Sequence, residues 1–166
     1  MTICKQNRDS LFGAVADDNV QLNDADRMIE HWWFELDRKF STVETHEFVD
    51  MPNHFHGIVV IAGVTVGADL RVGPDPEGAH VGAPLPTIVQ WFKTMTTNEY
   101  IREVKTQGWL PFRGKLWQRD YYEHVIRENE SLNRIQQYIT DNPSRRAFDR
   151  ENPVATRPEP ETAWRP

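Results

Sequence analysis

Met51-Pro52-Asn53-His54-Phe55-His56-Gly57-Ile58-Val59-Val60-Ile61 is a turn running into an apolar strand with two histidines at its mouth. Side chains alternate faces along a strand, so His54 and His56 project to one side and Phe55 to the other. Two imidazoles are thereby aimed at one point. The apolar run from Ile58 onward has the composition of a central, buried strand, which holds such a pair on a rigid element. The same pattern also suits two hydrogen-bonded surface histidines, and a metal site needs a third ligand from elsewhere in the chain.

Upstream, residues 43–50 alternate weakly and lead through the tight turn Met51-Pro52-Asn53 into this strand, which predicts a β-hairpin at the heart of the sheet. Before it, Asn23 is placed to cap a helix reaching about Lys39, with Asp24 and Asp26 in its first turn and Arg38 and Lys39 in its last. Met28, Ile29, Trp32, Trp33, Leu36 and Phe40 recur every three or four residues as one wide apolar face, expected to pack on the sheet. Residues 2–5 suit an edge strand. Residues 11–22, with turn signals at Gly13 and Asp17-Asp18-Asn19, suit a small hairpin. A chain that opens almost directly in a strand predicts either a missing N-terminal piece or a frayed first strand.

Downstream, residues 63–84 carry five Gly and three Pro without helical periodicity and read as a long surface insertion. Pro86 sits where a first helical turn tolerates it, and Ile88, Val89, Phe92, Met95, Tyr100, Ile101 and Val104 supply an amphipathic helix to about Lys105. Residues 115–127 mix aromatic and basic side chains and are expected to include a strand. Asn129 is placed to cap a last helix, which runs through Leu132, Ile135 and Ile139 to Asn142 and is stopped by Pro143. Two helices and a hairpin-centred sheet imply an α+β sandwich. The domain is read as residues 1–146, interrupted by 63–84. The Pro-, Arg- and Glu-rich residues 147–166 are expected to be a disordered tail.

Composition narrows the function classes. With 166 residues, 39% of them apolar, six Trp and eight Phe, the chain suffices for one compact domain. No apolar run approaches the roughly 18 residues of a membrane span, and no signal segment opens the chain, which points to the cytoplasm. Cys4 is the only cysteine, which excludes an intramolecular disulfide and a Cys-based zinc cluster. The net charge of −6 argues against indiscriminate nucleic-acid binding. The imbalance lies in residues 1–84, with 14 acidic and 6 basic side chains, whereas residues 85–166 carry 11 and 13. An acidic protein still holds a phosphate backbone where basic groups share one surface.

On the last helix Tyr138 and Asn142 lie one turn apart on a common side. A divalent metal held by His54, His56 and the amide oxygen of Asn142 leaves positions open for a phosphodiester, and the Tyr138 phenol is then a nucleophile for the phosphorus. A phenol with a pKa near 10 needs assistance at neutral pH. From spacing alone, Tyr138 also suits a half-buried structural tyrosine and Asn142 a helix-terminal residue. Tyr100, Tyr121 and Tyr122 carry the same phenol.

Three segments carry a resemblance: Met51-Pro52-Asn53-His54-Phe55-His56 before an apolar strand; Leu116-Trp117-Gln118-Arg119 to His124-Val125-Ile126-Arg127; and Tyr138-Ile139-Thr140-Asp141-Asn142-Pro143. Together and in this order they resemble the single-tyrosine HUH transposase family, and within it the REP-associated tyrosine transposases. The likeness covers residues 2–146 apart from the insertion. It implies a ferredoxin-like α+β fold with a central antiparallel sheet, Mg²⁺ or Mn²⁺ on His54 and His56 with Asn142 as the further polar ligand, and Tyr138 as nucleophile. It further implies cleavage of hairpin-bearing single-stranded DNA to a 5′-phosphotyrosine and a free 3′-hydroxyl, with rejoining by the reverse step. Such a protein is an endonuclease and strand transferase at the nucleoid. The family includes monomers and homodimers, and the resemblance leaves both open.

The N-terminus departs from the family pattern, which has more residues before and within the first strand; a shortened strand is expected to weaken the sheet edge and DNA binding. Trp117, Arg119, Arg127, Arg145 and Arg146 flank the candidate site as stacking and phosphate-binding candidates, although Trp117 equally suits the core. Two rivals stand beside the enzyme: a non-catalytic DNA-hairpin-binding protein, and a histidine-triad hydrolase. The latter needs a further histidine where Ile58 stands, and is set aside.

Overall fold

The computed structural model describes residues 1–16, 19–62, 83–142 and 152. β5 (His54–Ile61) lies between β1 (Thr2–Cys4) and β4 (Val43–Met51) and is antiparallel to both. The histidine strand is therefore the central one. A hairpin of β2 (Gly13–Ala16) and β3 (Asn19–Leu22) stands apart as a second sheet.

Residues 116–122 run along the outer side of β1. Thr2 and Tyr122 exchange backbone hydrogen bonds of 2.8 and 2.9 Å, Gln118 N–H donates to Cys4 O at 2.9 Å and Gln6 N–H to Leu116 O at 2.9 Å. β1 is thus covered on both sides, where the sequence suggested an edge. The strand expected in this segment is reduced to two isolated bridges, Thr2↔Tyr122 and Lys5↔Trp117. Its interruption has a visible cause: Lys93 Nζ donates to the carbonyls of Gln118, Arg119 and Asp120 at 2.9, 3.1 and 3.1 Å, gathering them around one ammonium. Counting this broken line, the strands take the antiparallel arrangement of a ferredoxin-like α+β sandwich.

α1 (Asp24–Lys39) and α2 (Leu85–Thr106) cover the sheet face bearing Ile3 and Phe55. Asn23 caps α1 as expected, its Oδ1 accepting from Ala25 N–H at 2.9 Å. From α1, Trp33 packs its ring 4.9 Å from that of Phe55, and from α2, Phe92 lies 5.4 Å from Phe55. Trp32 links the helices, donating from Nε1 to Glu99 at 2.6 Å and meeting Trp91 edge to face. Thr96, absent from the apolar pattern of α2, is fully buried; its hydroxyl donates to Phe92 O and accepts from Trp117 Nε1 at 2.8 Å each.

α3 (Asn129–Asp141) packs against β4 on the opposite face, the one bearing the histidines. It starts one residue earlier than expected: Glu128 occupies the cap position without a side-chain bond, and Asn129 is already helical. A bulge in β4 helps to seat it. Thr45 pairs with Val59 but Phe48 with Gly57, so β4 carries one extra residue there. The freed carbonyl of His46 accepts from Trp33 Nε1 at 3.3 Å on one side. On the other, Glu47 accepts from Gln136 Nε2 of α3 at 3.0 and 2.9 Å.

One polar cluster enters the helix-covered face. Lys5 is fully buried with its ammonium 4.2 Å from the Phe12 ring centroid and, among the described residues, without a hydrogen-bond acceptor. Burial lowers its pKa to about 7. Asp50 is buried beside it, its carboxyl raised well above the usual range first by burial and then by the charge of Asp26. Among the described residues neither of its oxygens has a hydrogen-bond partner, and the carboxyl of Asp26 beside it is raised as well, chiefly by burial.

The Gly- and Pro-rich insertion over 63–82 and the tail, apart from a buried Asn152, lie outside the described residues.

Candidate metal and tyrosine site

The turn Pro52-Asn53 delivers His54 and His56 to one face of β5, as strand alternation requires. Both are buried, and their Nε2 atoms face each other at 3.0 Å with the rings edge to face. Each Nδ1 is engaged from behind. His54 Nδ1 lies 2.9 Å from Asn53 Oδ1, and His56 Nδ1 lies 2.7 Å from Thr2 Oγ1, brought there by the β1 register that pairs Thr2 with His56. Burial, followed by the positive charge of the amino terminus, pushes the pKa of His56 down to about 3. At neutral pH His56 is therefore an uncharged imidazole, the form that ligates metals.

Tyr138 meets this pair from α3. Its ring centroid is 5.6 Å from that of His56, edge to face. One helical turn on, Asn142 is 2% exposed and, among the described residues, its Oδ1 has no hydrogen-bond partner. An orphaned, buried amide oxygen costs about 1–3 kcal/mol unless something binds it. Among the described residues no group of three or more His, Cys, Asp and Glu side chains gathers to hold a metal. The Asn142 amide oxygen, one turn beyond Tyr138, is a buried donor of another type. Two imidazole nitrogens and a carbonyl-type oxygen fit a divalent cation of borderline to hard character.

The sequence-derived candidates divide. His54, His56 and Tyr138 come together, and Asn142 stands on the Tyr138 side of α3. Trp117 belongs to the core: it is 4% exposed, tilted against Phe12 and Phe92, and bonded to Thr96, so its ring offers no face to a base. Arg119 and Arg127 are exposed. With His124, Val125, Glu128 and Ser131, Arg127 lines an open pocket of about 410 Å³ at the start of α3. Arg145 and Arg146 lie outside the described residues. Of the rival tyrosines, Tyr100 is buried with its hydroxyl donating to Leu110 O at 2.9 Å, and Tyr121 lies under Lys93. Tyr122 pairs with Thr2 through its backbone, on the far side of β1 from β5.

Sequence reading missed the groups behind the histidines. Asn53 was visible as the residue before His54. Thr2 was not, because only strand register brings it to His56. The Glu47–Gln136 contact likewise depends on the bulge.

Among the described residues no helix is long and apolar enough to cross a membrane. No protein-family model matches the chain. An uncharacterized protein of Haemophilus influenzae is 33% identical over 151 residues, covering 86% of this chain and 78% of that protein. The chain belongs to the same protein family as this Haemophilus influenzae protein.

Proposed function

We propose that the protein is a single-tyrosine HUH-type endonuclease and strand transferase acting on hairpin-bearing single-stranded DNA at the nucleoid. The observation that carries this reading is the edge-to-face approach of Tyr138 to His56, whose Nε2 meets that of His54 at 3.0 Å. Histidines on the central strand and a phenol on a helix crossing that face form a ligand pair and a nucleophile on separate rigid elements.

His54, His56 and the Asn142 amide are the groups that hold Mg²⁺ or Mn²⁺, which when bound supplies Lewis-acid polarisation of the scissile phosphate. Tyr138 Oη attacks phosphorus and forms the new P–O bond as the P–O3′ bond breaks. The phenol loses a proton and the departing 3′ oxygen gains one, leaving a 5′-phosphotyrosine and a free 3′-hydroxyl. Attack of a 3′-hydroxyl on that phosphotyrosine is the reverse reaction and needs no external energy source. Buried, neutral His56 stays available as a ligand throughout the physiological pH range. Exposed Arg119 and Arg127 are the described cationic candidates for the phosphate backbone.

The test is incubation with a hairpin-bearing single-stranded oligonucleotide and Mg²⁺ or Mn²⁺, followed by denaturing electrophoresis. A covalent adduct is expected from the native protein and none from Tyr138→Phe. An adduct that survives Tyr138→Phe but disappears with Tyr121→Phe or Tyr122→Phe assigns the nucleophile elsewhere. A second reading, a non-catalytic hairpin-binding protein, draws on the net charge of −6. Hairpin binding without an adduct under either metal selects it.

A further inference from the structure

The contacts behind the two histidines differ in kind. Asn53 Oδ1 is only an acceptor, so at 2.9 Å it requires His54 Nδ1 to carry the proton, which leaves His54 Nε2 as a lone pair. Thr2 Oγ1, 2.7 Å from His56 Nδ1, is both donor and acceptor and serves either tautomer of His56. Between the rings the Nε2 atoms are 3.0 Å apart. Two lone pairs at that distance repel, so in the metal-free protein His56 Nε2 carries a proton and donates it to His54 Nε2. His56 Nδ1 is then a lone pair, and the Thr2 hydroxyl donates to it.

We infer that Asn53 and Thr2 are positioning residues with unequal roles: Asn53 fixes His54 as a permanent acceptor at Nε2, and Thr2 lets His56 exchange tautomers when a cation arrives. The inference rests on the metal-site reading of the His54/His56 pair. When both Nε2 atoms turn their lone pairs to a cation, the His56 proton moves from Nε2 to Nδ1. The Thr2 hydroxyl rotates from donor to acceptor and keeps its own proton, so this switch changes no net charge on the protein. An acceptor-only partner at residue 2 would oppose the metal-free state, and an apolar one would leave a buried N–H unpaired in the metal-bound state.

Long-range ¹H–¹⁵N correlation spectra of ¹⁵N-histidine protein at pH 7 read the tautomers directly. In the metal-free protein His54 is expected protonated at Nδ1 and His56 at Nε2; a proton on His54 Nε2 overturns the inference. After saturation with Mg²⁺ both rings are expected protonated at Nδ1. Calorimetric titration with Mn²⁺ supplies the second arm. Thr2→Val is expected to weaken binding by about 10- to 100-fold, and Thr2→Ser to restore it. A folded Thr2→Val protein that binds Mn²⁺ like the native one also overturns the inference. If the native protein takes up neither metal, the metal-site reading fails, whereas the metal-free spectra still decide the tautomer assignment.

Discussion

Gly57 follows the second histidine, and its lack of a side chain is imposed by Trp33. A methyl group built at residue 57 lies 2.5 Å from Trp33 Cη2, 2.8 Å from Cζ2 and 2.9 Å from Phe55 Cε1. Carbon atoms in contact prefer about 3.5–4.0 Å, so Gly57→Ala requires the indole to retreat by roughly 1 Å. The indole has nowhere to go. It is fully buried, packed on Phe55 and Phe92, and tethered by Nε1 to the His46 carbonyl in the β4 bulge. Overpacking of this kind costs about 1–3 kcal/mol. For a domain of this size about 1 kcal/mol corresponds to roughly 2–4 °C, so Tm is expected to fall by about 2–12 °C. The cause is separable from any general intolerance at residue 57. Phenylalanine lacks the two clashing indole atoms, so in a Trp33→Phe background Gly57→Ala meets only the 2.9 Å approach to Phe55 Cε1 and should cost markedly less, with a coupling of about 1–2 kcal/mol. Urea unfolding followed by circular dichroism of the native protein, both single variants and the double variant gives that coupling. Native-like stability of Gly57→Ala, or additive effects of the two changes, refutes the steric account.

Two further outcomes follow from buried titratable groups. His56 has a folded pKa of about 3 and an unfolded value near 6.5, so between those limits the unfolded chain binds the extra proton and stability falls as pH falls. Relative to a folded His56→Asn variant, native protein should lose about 3 kcal/mol of additional stability between pH 7 and pH 4.5, measured by urea titration at both values; equal losses refute the assignment. Lys5 is buried and, among the described residues, its ammonium has no hydrogen-bond acceptor, so Lys5→Met should stabilise the protein by about 1–3 kcal/mol. Tm of Lys5→Met is expected to exceed that of the native protein, and a lower value contradicts this account.

The parts of the fold written in local periodicity were legible in the sequence. The apolar stripe from Met28 to Leu36 and the cap at Asn23 define α1, and the alternation through Pro52-Asn53 defines the hairpin. The histidine pair was legible for the same reason, since strand alternation alone sends His54 and His56 one way. What escaped were features created by register or by long-range contact. The strand expected within residues 115–127 is interrupted because Lys93, on a helix more than 20 residues earlier, collects three of its carbonyls. Trp117 carried two readings until packing on Phe12 and Phe92 placed it in the core. Thr96 is polar by type and was left out of the apolar face of α2, yet it is buried because Trp117 Nε1 and its own helix satisfy it. Asp50, which lies in the hairpin between apolar neighbours, gives no local sign that Lys5 and Asp26 will meet it.

The two faces of the sheet are held by very different amounts of buried surface. Behind Phe55 lies an aromatic core that includes Trp33, Phe92, Trp117 and Tyr100, whereas α3 with its cap buries Ser131, Ile139 and Asn142, sets Tyr138 against His56 and adds the Gln136–Glu47 contact at the surface. Within the described residues, releasing α3 therefore costs far less free energy than unfolding the domain. The phenol is carried on an element easier to lift away than the central strand that holds the imidazoles. In the reaction proposed above, a molecule built this way can withdraw the Tyr138 phenol, together with any strand attached to it, while the histidine pair keeps its shape.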